Sequence, residues 1–219
     1  MAKSKEIQIK DLFFNKKQRL LLRAMERDIK SWEEEIFLMK SKNYKNVSST
    51  LIVPNKKIHT YKPNGLIFNP ETVKILHASE NDSNSYVDAK GKLIVAASGI
   101  SIDELTDSLA NLEIFNSYNE VNFNAITSDI LGLFLTCRSL DKIDDHVALE
   151  TAYMQKLLKD KFKLDLPCFA YFFEVGNIRQ IDFNFNTLTY YILRLKNIHS
   201  DLENASFYAK KFNIEIRDL

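Results

Sequence analysis

Short strand-like segments separated by turns are the feature that most restricts how this chain can fold. β-branched and apolar residues bounded by Pro, Gly, Asn and Ser are typical of strands in hairpins and meanders. Because strands and helices follow without regular βαβ alternation, the pattern predicts an α+β fold with a mixed, mostly antiparallel sheet. The first predicted strands lie at residues 46–53, 65–69, 73–78 and 92–97.

Capping motifs and apolar runs predict the later elements. The segment SIDE (101–104) is a capping box and predicts a helix through about Leu112, and SDLE (200–203) predicts a short final helix. The other predicted elements are strands at YNEVNFN (118–124) and DILGLFLT (129–136), a long helix from about 141 to 162, a hairpin about 176–177, and a closing strand in FNIEI (212–216).

Apolar residues recur at steps of three and four between residues 16 and 39. This spacing predicts a long amphipathic N-terminal helix, which either packs on the domain or presents its apolar face to a partner. Three segments follow from these patterns: a helical segment 1–45, a β-rich core 46–136, and an α/β segment 137–219 packed on the same core. The residues that would share the apolar face are Leu21, Met25, Ile29, Trp32, Ile36 and Met39.

Composition narrows the classes of function. The 219 residues carry a net charge of +1, so no overall positive field holds nucleic acid, and none is expected as a partner. Residues 1–23 are locally basic, which leaves weak contact with acidic lipid open. Cys137 and Cys168 lie in apolar runs and are predicted to be buried free thiols. No signal peptide or membrane-spanning run is present in the sequence, which predicts a soluble, cytoplasmic protein.

The segment SYNEVNF (117–123) places a carboxylate inside a predicted strand. Side chains alternate between the two faces of a strand, so Tyr118, Glu120 and Asn122 share one face. A polar strand face of this kind either meets water or lines a site. An earlier predicted strand carries the hydroxyl groups of the segment SST (48–50).

This hydroxyl-bearing strand, followed by a strand with a glutamate, resembles the core of the ADP-ribosyltransferase-like toxins. The region 47–135 is also similar to segments of secreted effector proteins of intracellular bacteria. The resemblance implies an effector that is translocated into a host cell without a classical signal peptide and acts on host proteins, with NAD as cofactor. It further implies that Glu120 is the catalytic acid, which stabilises positive charge developing on the ribose. Ser49, Thr50 and Tyr118 would contact the cofactor.

Two departures from the family leave the enzymatic interpretation open. The arginine that holds the NAD phosphates has no counterpart, because Arg19, Arg23 and Arg27 fall in the predicted helix. In addition, Tyr118 stands at the position where many members that modify side chains have Glu or Gln. A degenerate, non-catalytic relative therefore stays an alternative. So does a protein-interaction module that binds a partner through the N-terminal helix or through the aromatic hairpin at 169–173.

Other chemistries have weaker support in the sequence. Acidic and histidine residues at 141–150 have the i, i+4 spacing of a metal pair, but the dipole and capping of a helix start explain them better, so no metal site is predicted. Cys137 precedes a predicted helix start, as some nucleophilic cysteines do, but a structural thiol is favoured. Phosphate-binding loops, dinucleotide fingerprints and zinc-protease motifs do not occur in the sequence.

Overall fold

A computed structural model describes residues 19–25, 29–41, 46–82, 86–88, 92–95, 98–111, 119–138, 142–198 and 201–215. The strands are β1 (Leu20–Ala24), β2 (Val47–Ile52), β3 (Asn64–Phe68), β4 (Lys74–Ser79), β5 (Tyr86–Val87), β6 (Leu93–Ile94), β7 (Glu120–Asn124), β8 (Ile130–Cys137), β9 (Cys168–Phe172) and β10 (Asn177–Ile181). The helices are α1 (Ile29–Lys40), α2 (Ile102–Asn111), α3 (Asp145–Leu157), α4 (Phe185–Ile198) and α5 (Leu202–Phe212). A 3₁₀ turn spans Thr127–Asp129, and a π-helical segment, called the π turn below, extends α3 over Leu158–Phe162.

Within the described residues, eight strands form one sheet in the order β10-β9-β8-β3-β1-β2-β7-β4, and β5 pairs with β6 separately. Neighbouring strands of the large sheet are antiparallel, except that β8 and β9 are parallel and are connected through α3. The α+β class and the mixed, mostly antiparallel sheet are therefore confirmed. Strands from all three predicted segments of the chain belong to this sheet. No helix in the described part is long and apolar enough to cross a membrane.

The predicted long N-terminal helix is wrong. Residues 20–24 form β1, the strand between β2 and β3, and the helix begins only at Ile29. The side chains of three consecutive leucines, Leu20 to Leu22, are buried because both faces of this central strand are covered. Consecutive apolar residues fit a strand buried on both faces. Leu21 and Met25 are also four positions apart, so spacing alone assigned them to the helix.

This correction also changes the positions of the arginines. Arg23 lies in β1, and Arg19 immediately precedes it, so neither is helical. Arg27 and residues 1–18, which carry all the lysines of the basic segment 1–23, lie outside the described residues.

The ends of several helices in the structure differ by a few residues from the predicted ends. The capping box at 101–104 is confirmed, because the Ser101 and Glu104 side chains each accept a hydrogen bond from the other residue's backbone N–H, at 3.1 and 2.7 Å. The second long helix begins at Asp145, and position 141 lies outside the described residues. Asp201 caps α5, while Ser200 is outside the described part of the chain. Residues 212–215 end that helix and form no strand.

Helices α1 and α3 pack on the same face of the sheet. In the β1–β3 register, Arg23 lies opposite Leu66, and Asn64 is two positions from Leu66, so these three side chains share a face. Arg23 forms an ion pair with Glu35 of α1, and Asn64 donates a hydrogen bond to Glu150 of α3. The space between α1 and the π turn that extends α3 is therefore on this face. Helices α4 and α5 pack on the outer side of α3 through a second apolar cluster.

Candidate functional site

The register of β2 and β7 decides which hydroxyl groups lie beside Glu120. Ser48 pairs with Asn122 and Ser49 pairs with Val121, and residues paired across strands share a face. Ser48 therefore lies on the face of Glu120, and its Oγ donates a hydrogen bond to Glu120 Oε1 at 2.8 Å. Ser49 lies on the opposite face, where its Oγ donates to the Val121 carbonyl oxygen at 3.0 Å.

The other residues that the resemblance implies do not all share the strand face of Glu120. Thr50 lies two positions after Ser48, so it shares the face of Glu120, and it is 2 % exposed. Glu120 is 4 % exposed, so the alternative in which its carboxylate faces bulk water is wrong. Tyr118 lies outside the described residues. The structure thus brings together Glu120, Ser48 and Thr50, and separates Ser49 from them.

The polar face continues onto β4, which sequence reasoning missed. His77 pairs with Asn122, and Ser79 pairs with Glu120. Polar side chains thus form a row across β2, β7 and β4. The alternation of polar residues within each strand was visible in the sequence, but the pairing between strands was not.

The side chain of Asn119 fixes the start of β7 beside β2. Its amide nitrogen donates to the Leu51 carbonyl oxygen at 3.0 Å, and its amide oxygen accepts from the Leu51 N–H at 2.8 Å. The amide thereby imitates one more backbone pair of an antiparallel ladder. As a result, Glu120 is held at the beginning of the strand, next to Ser48.

The two described arginines nearest this region are bound to carboxylates. Arg23 lies on the face opposite Glu120 and donates to Glu35 at 3.0 Å. Arg19, which is 4 % exposed, donates to Glu71 at 2.6 Å and to Asp103 at 2.7 Å. Both guanidinium groups therefore have anionic partners within the fold already.

The acidic and histidine residues near the start of α3 serve packing and capping. Among the described residues, no three His, Cys, Asp or Glu side chains form a group that could hold a metal ion. The partners are the Val147 N–H for Asp144, Arg194 for Asp145, Asp201 for His146 and Asn64 for Glu150.

Both cysteines are buried free thiols, as predicted. Burial raises the pKa of the Cys137 thiol to about 11. The pKa of Cys168 is also raised, first by burial and then by the negative charge of Asp182. A thiol with a raised pKa has little thiolate at neutral pH, which does not suit a nucleophile.

We expect both thiols to react slowly with Ellman's reagent in the native protein at neutral pH. The raised pKa of Cys137 alone lowers its thiolate fraction about 100-fold relative to an ordinary thiol. The same protein unfolded in guanidinium chloride is the control, and there both thiols should react promptly. A fast-reacting thiol in the folded protein would contradict this prediction and reopen a nucleophilic role.

A groove between α1 and the π turn exposes large apolar side chains at the surface. Its volume is about 420 Å³. Phe37 is 62 % exposed and Leu38 is 39 % exposed at this groove, whereas Phe162 is buried. Large apolar side chains exposed side by side at a concave surface are typical of interaction sites. The lining residues are Lys30, Glu33, Glu34, Phe37, Leu38, Lys161 and Phe162.

Charged groups connect the walls of this groove. Lys161 of the π turn forms an ion pair with Glu33 of α1, with 2.5 Å between Nζ and Oε2. The ammonium groups of Lys40 and Lys161 lie 6.0 and 5.8 Å from the centre of the Phe162 ring. Such distances permit cation–π attraction.

The aromatic hairpin named as an alternative binding surface faces largely inward. Phe169 and Tyr171 are buried, and Phe172 and Phe173 are half-buried. The Tyr171 hydroxyl donates to the Ile58 carbonyl oxygen at 2.9 Å. The first half of this hairpin thus belongs to the core.

Compared with models of known protein families and with curated protein sequences, the chain shows no match.

Proposed function

We propose that this chain is a protein-interaction module that binds a helical segment of a partner protein in the groove between α1 and the π turn. The supporting observation is the exposure of Phe37, at 62 %, beside Leu38 in a groove that the buried Phe162 also lines. An occupant would remove this apolar surface from water, which is the main driving force of association.

The shape of the groove favours a helix as the occupant. Its lining follows α1 from Lys30 to Leu38, which corresponds to about 12 Å along the helix axis. An amphipathic helix lays apolar side chains at steps of three, four and seven into a groove of this kind. Two or three such side chains would fit along this length.

The walls of the groove are fixed before a partner arrives. The inner side of α1 is held by the buried side chains of Trp32, Ile36 and Met39, and by the Arg23–Glu35 ion pair. The Glu33–Lys161 pair links α1 to the π turn. A preformed surface loses less conformational entropy on binding, which favours affinity.

A peptide-display experiment tests this proposal. We expect a phage-displayed library of random peptides of about 16 residues to yield clones that bind the wild-type protein. Phe37→Asp should weaken their binding by roughly 10-fold or more, because a hot-spot aromatic is replaced by a charge. Phe185→Asp is the matched control, since Phe185 is 64 % exposed but lies on α4.

Clones that are equally sensitive to both substitutions, or to neither, would contradict a binding site at this groove. Both substitutions are at exposed positions, so the fold itself should change in stability by less than about 0.5 kcal/mol. Thermal denaturation of the two variants verifies that expectation before binding is compared.

The resemblance predicts NAD binding and transfer of ADP-ribose to host proteins. One contact in the structure supports this prediction. The Ser48–Glu120 hydrogen bond places a hydroxyl-bearing strand beside the carboxylate. The fit is incomplete, because Glu120 is 4 % exposed and the nearby Arg19 and Arg23 are bound to carboxylates. A ribose could use the hydroxyl groups, but the cofactor's phosphates would have neither arginine as a partner. The interaction module is therefore the better-supported function.

We expect millimolar NAD neither to raise the melting temperature nor to release nicotinamide with this protein. Glu120→Gln should lower stability by about 1–2 kcal/mol, because the Ser48 hydroxyl would then donate to a neutral amide oxygen, a weaker acceptor than a carboxylate in a buried site. Nicotinamide release is measured by chromatography, with Ser49→Ala as the control on the opposite strand face. Release that Glu120→Gln abolishes and Ser49→Ala preserves would instead establish that NAD is cleaved at Glu120.

A further inference from the structure

We propose that the helical partner segment carries acidic residues beside its apolar anchors, and that these lie at the Phe162 end of the groove. This inference rests on the proposed function, because it names the chemistry of the partner at the same site. It follows from the distribution of charge around Phe162.

Most lysines near the π turn are neutralised by carboxylates within the fold. Such pairs leave little net charge for an incoming partner to meet. The paired groups are Lys156 with Asp160, Lys159 with Asp165, and Lys161 with Glu33.

Near Phe162, the described lysines Lys40 and Lys163 form no ion pair with a carboxylate. Lys163 donates to the backbone carbonyl oxygen of Asp160 at 2.8 Å, and the Asp160 carboxylate that attracts it is already ion-paired with Lys156, so positive charge stays in excess here. Lys40, in the last turn of α1, has its ammonium group 6.0 Å from the Phe162 ring centre. Both side chains are exposed, so their charges are accessible to a partner.

The opposite end of the groove is balanced. Lys30 and Glu34 lie four positions apart on α1, the spacing at which opposite charges on a helix are neighbours. Among the described residues at the groove, the excess positive charge thus lies at the Phe162 end. A bound helix with Asp or Glu at that end would gain attraction, whereas one with Lys or Arg there would be repelled.

The attraction grows once the groove is occupied. An apolar anchor seated against Phe37 and Phe162 excludes water from the rim beside Lys40. Charge pairs formed at such a partly desolvated rim are stronger than pairs in bulk water. The lysines therefore select the orientation of the helix as well as its sequence.

Two synthetic helical peptides test the inference. Both are about 16 residues long, have the same leucine anchors, and differ only in carrying Glu or Lys at the flanking positions. Fluorescence anisotropy in about 0.05 M salt gives their dissociation constants. We expect the Glu peptide to bind roughly 10-fold tighter than the Lys peptide, with the advantage shrinking in high salt.

Variants assign the effect to the two lysines. The double substitution Lys40→Ala and Lys163→Ala should reduce the advantage of the Glu peptide to within about twofold. The control, Lys74→Ala with Lys210→Ala, removes the same charge from β4 and α5, and the advantage should persist. Phe37→Asp should abolish binding of both peptides.

The outcomes separate this inference from the proposed function. Equal or tighter binding of the Lys peptide would overturn the charge assignment, while Phe37-dependent binding of both peptides would still support the groove. If neither peptide binds but display yields clones sensitive to Phe37→Asp, the acidic helix alone is overturned. If neither peptide binds and such clones are not found, both proposals fail.

Discussion

Replacing Gly65 with alanine is expected to destabilise the fold by about 3 kcal/mol or more. Gly65 lies in β3, between β1 and β8. A Cβ at this position would lie 2.0 Å from the backbone oxygen of Arg23 and 3.0 Å from the ring of Phe134. The backbone oxygen belongs to a paired strand, so it cannot move without disturbing the centre of the sheet. Thermal denaturation should show a melting temperature about 6–12 °C lower.

Gly99→Ala is the matched control for this prediction. A Cβ at Gly99 would approach the imidazole of His77 at 2.7 Å, and a side chain can move away more easily than a backbone. We expect a loss below about 1 kcal/mol there. If Gly65→Ala proved as mild as Gly99→Ala, the close approach of β1 and β3 would be refuted.

Glu35→Leu is expected to cost about 3 kcal/mol, because it leaves the largely buried guanidinium of Arg23 without its carboxylate. This ion pair connects β1 to α1, so its loss affects the wall of the groove as well as the core. Urea unfolding measures the change in stability. Binding of the Phe37-dependent display clones measures the change in the groove.

A double-mutant cycle separates the ion pair from simple loss of packing. Replacing both partners, as Arg23→Met with Glu35→Leu, removes the buried guanidinium charge along with its carboxylate, and we expect it to recover most of the stability lost in Glu35→Leu. The coupling between the two positions should be about 2 kcal/mol. Additive losses in the double variant would show that the pair does not act as a unit.

The sequence predicts the strands whose ends are marked by turn residues. Strands β2, β3, β4, β7 and β8 and the β9–β10 hairpin match their predicted positions within a few residues. Helix α4 was not predicted, although Asn184, a residue type that often caps helices, immediately precedes it. In the structure, the Asn184 side chain accepts a hydrogen bond from the Thr187 N–H at 3.1 Å. The failure at β1 has another cause, because Leu21 and Met25 have the four-residue spacing of a helix although the leucine run belongs to a strand buried on both faces.

The candidate sites depend on strand register and helix packing, which local sequence patterns do not determine. Alternation correctly separated Glu120 and Asn122 from Val121 and Phe123, because it depends on one strand alone. The choice of Ser49 over Ser48 needed the register of strands that are far apart in the chain, and a one-residue slip exchanges the two faces. The groove depends on how α1 packs beside the π turn, which the sequence does not determine. Within the sequence, Phe37 and Leu38 beside charged residues of the same helix are what indicates it.

The central position of β1 has a consequence for biosynthesis. Its two neighbours, β2 and β3, follow it before residue 69, whereas their outer partners β7 and β8 come from residues 120–137. On the ribosome, an antiparallel trio can therefore assemble early and must wait with two open edges. Open edges of this kind readily pair with other chains. A nascent chain stalled before β7 would thus be the form most prone to aggregate and most in need of a chaperone.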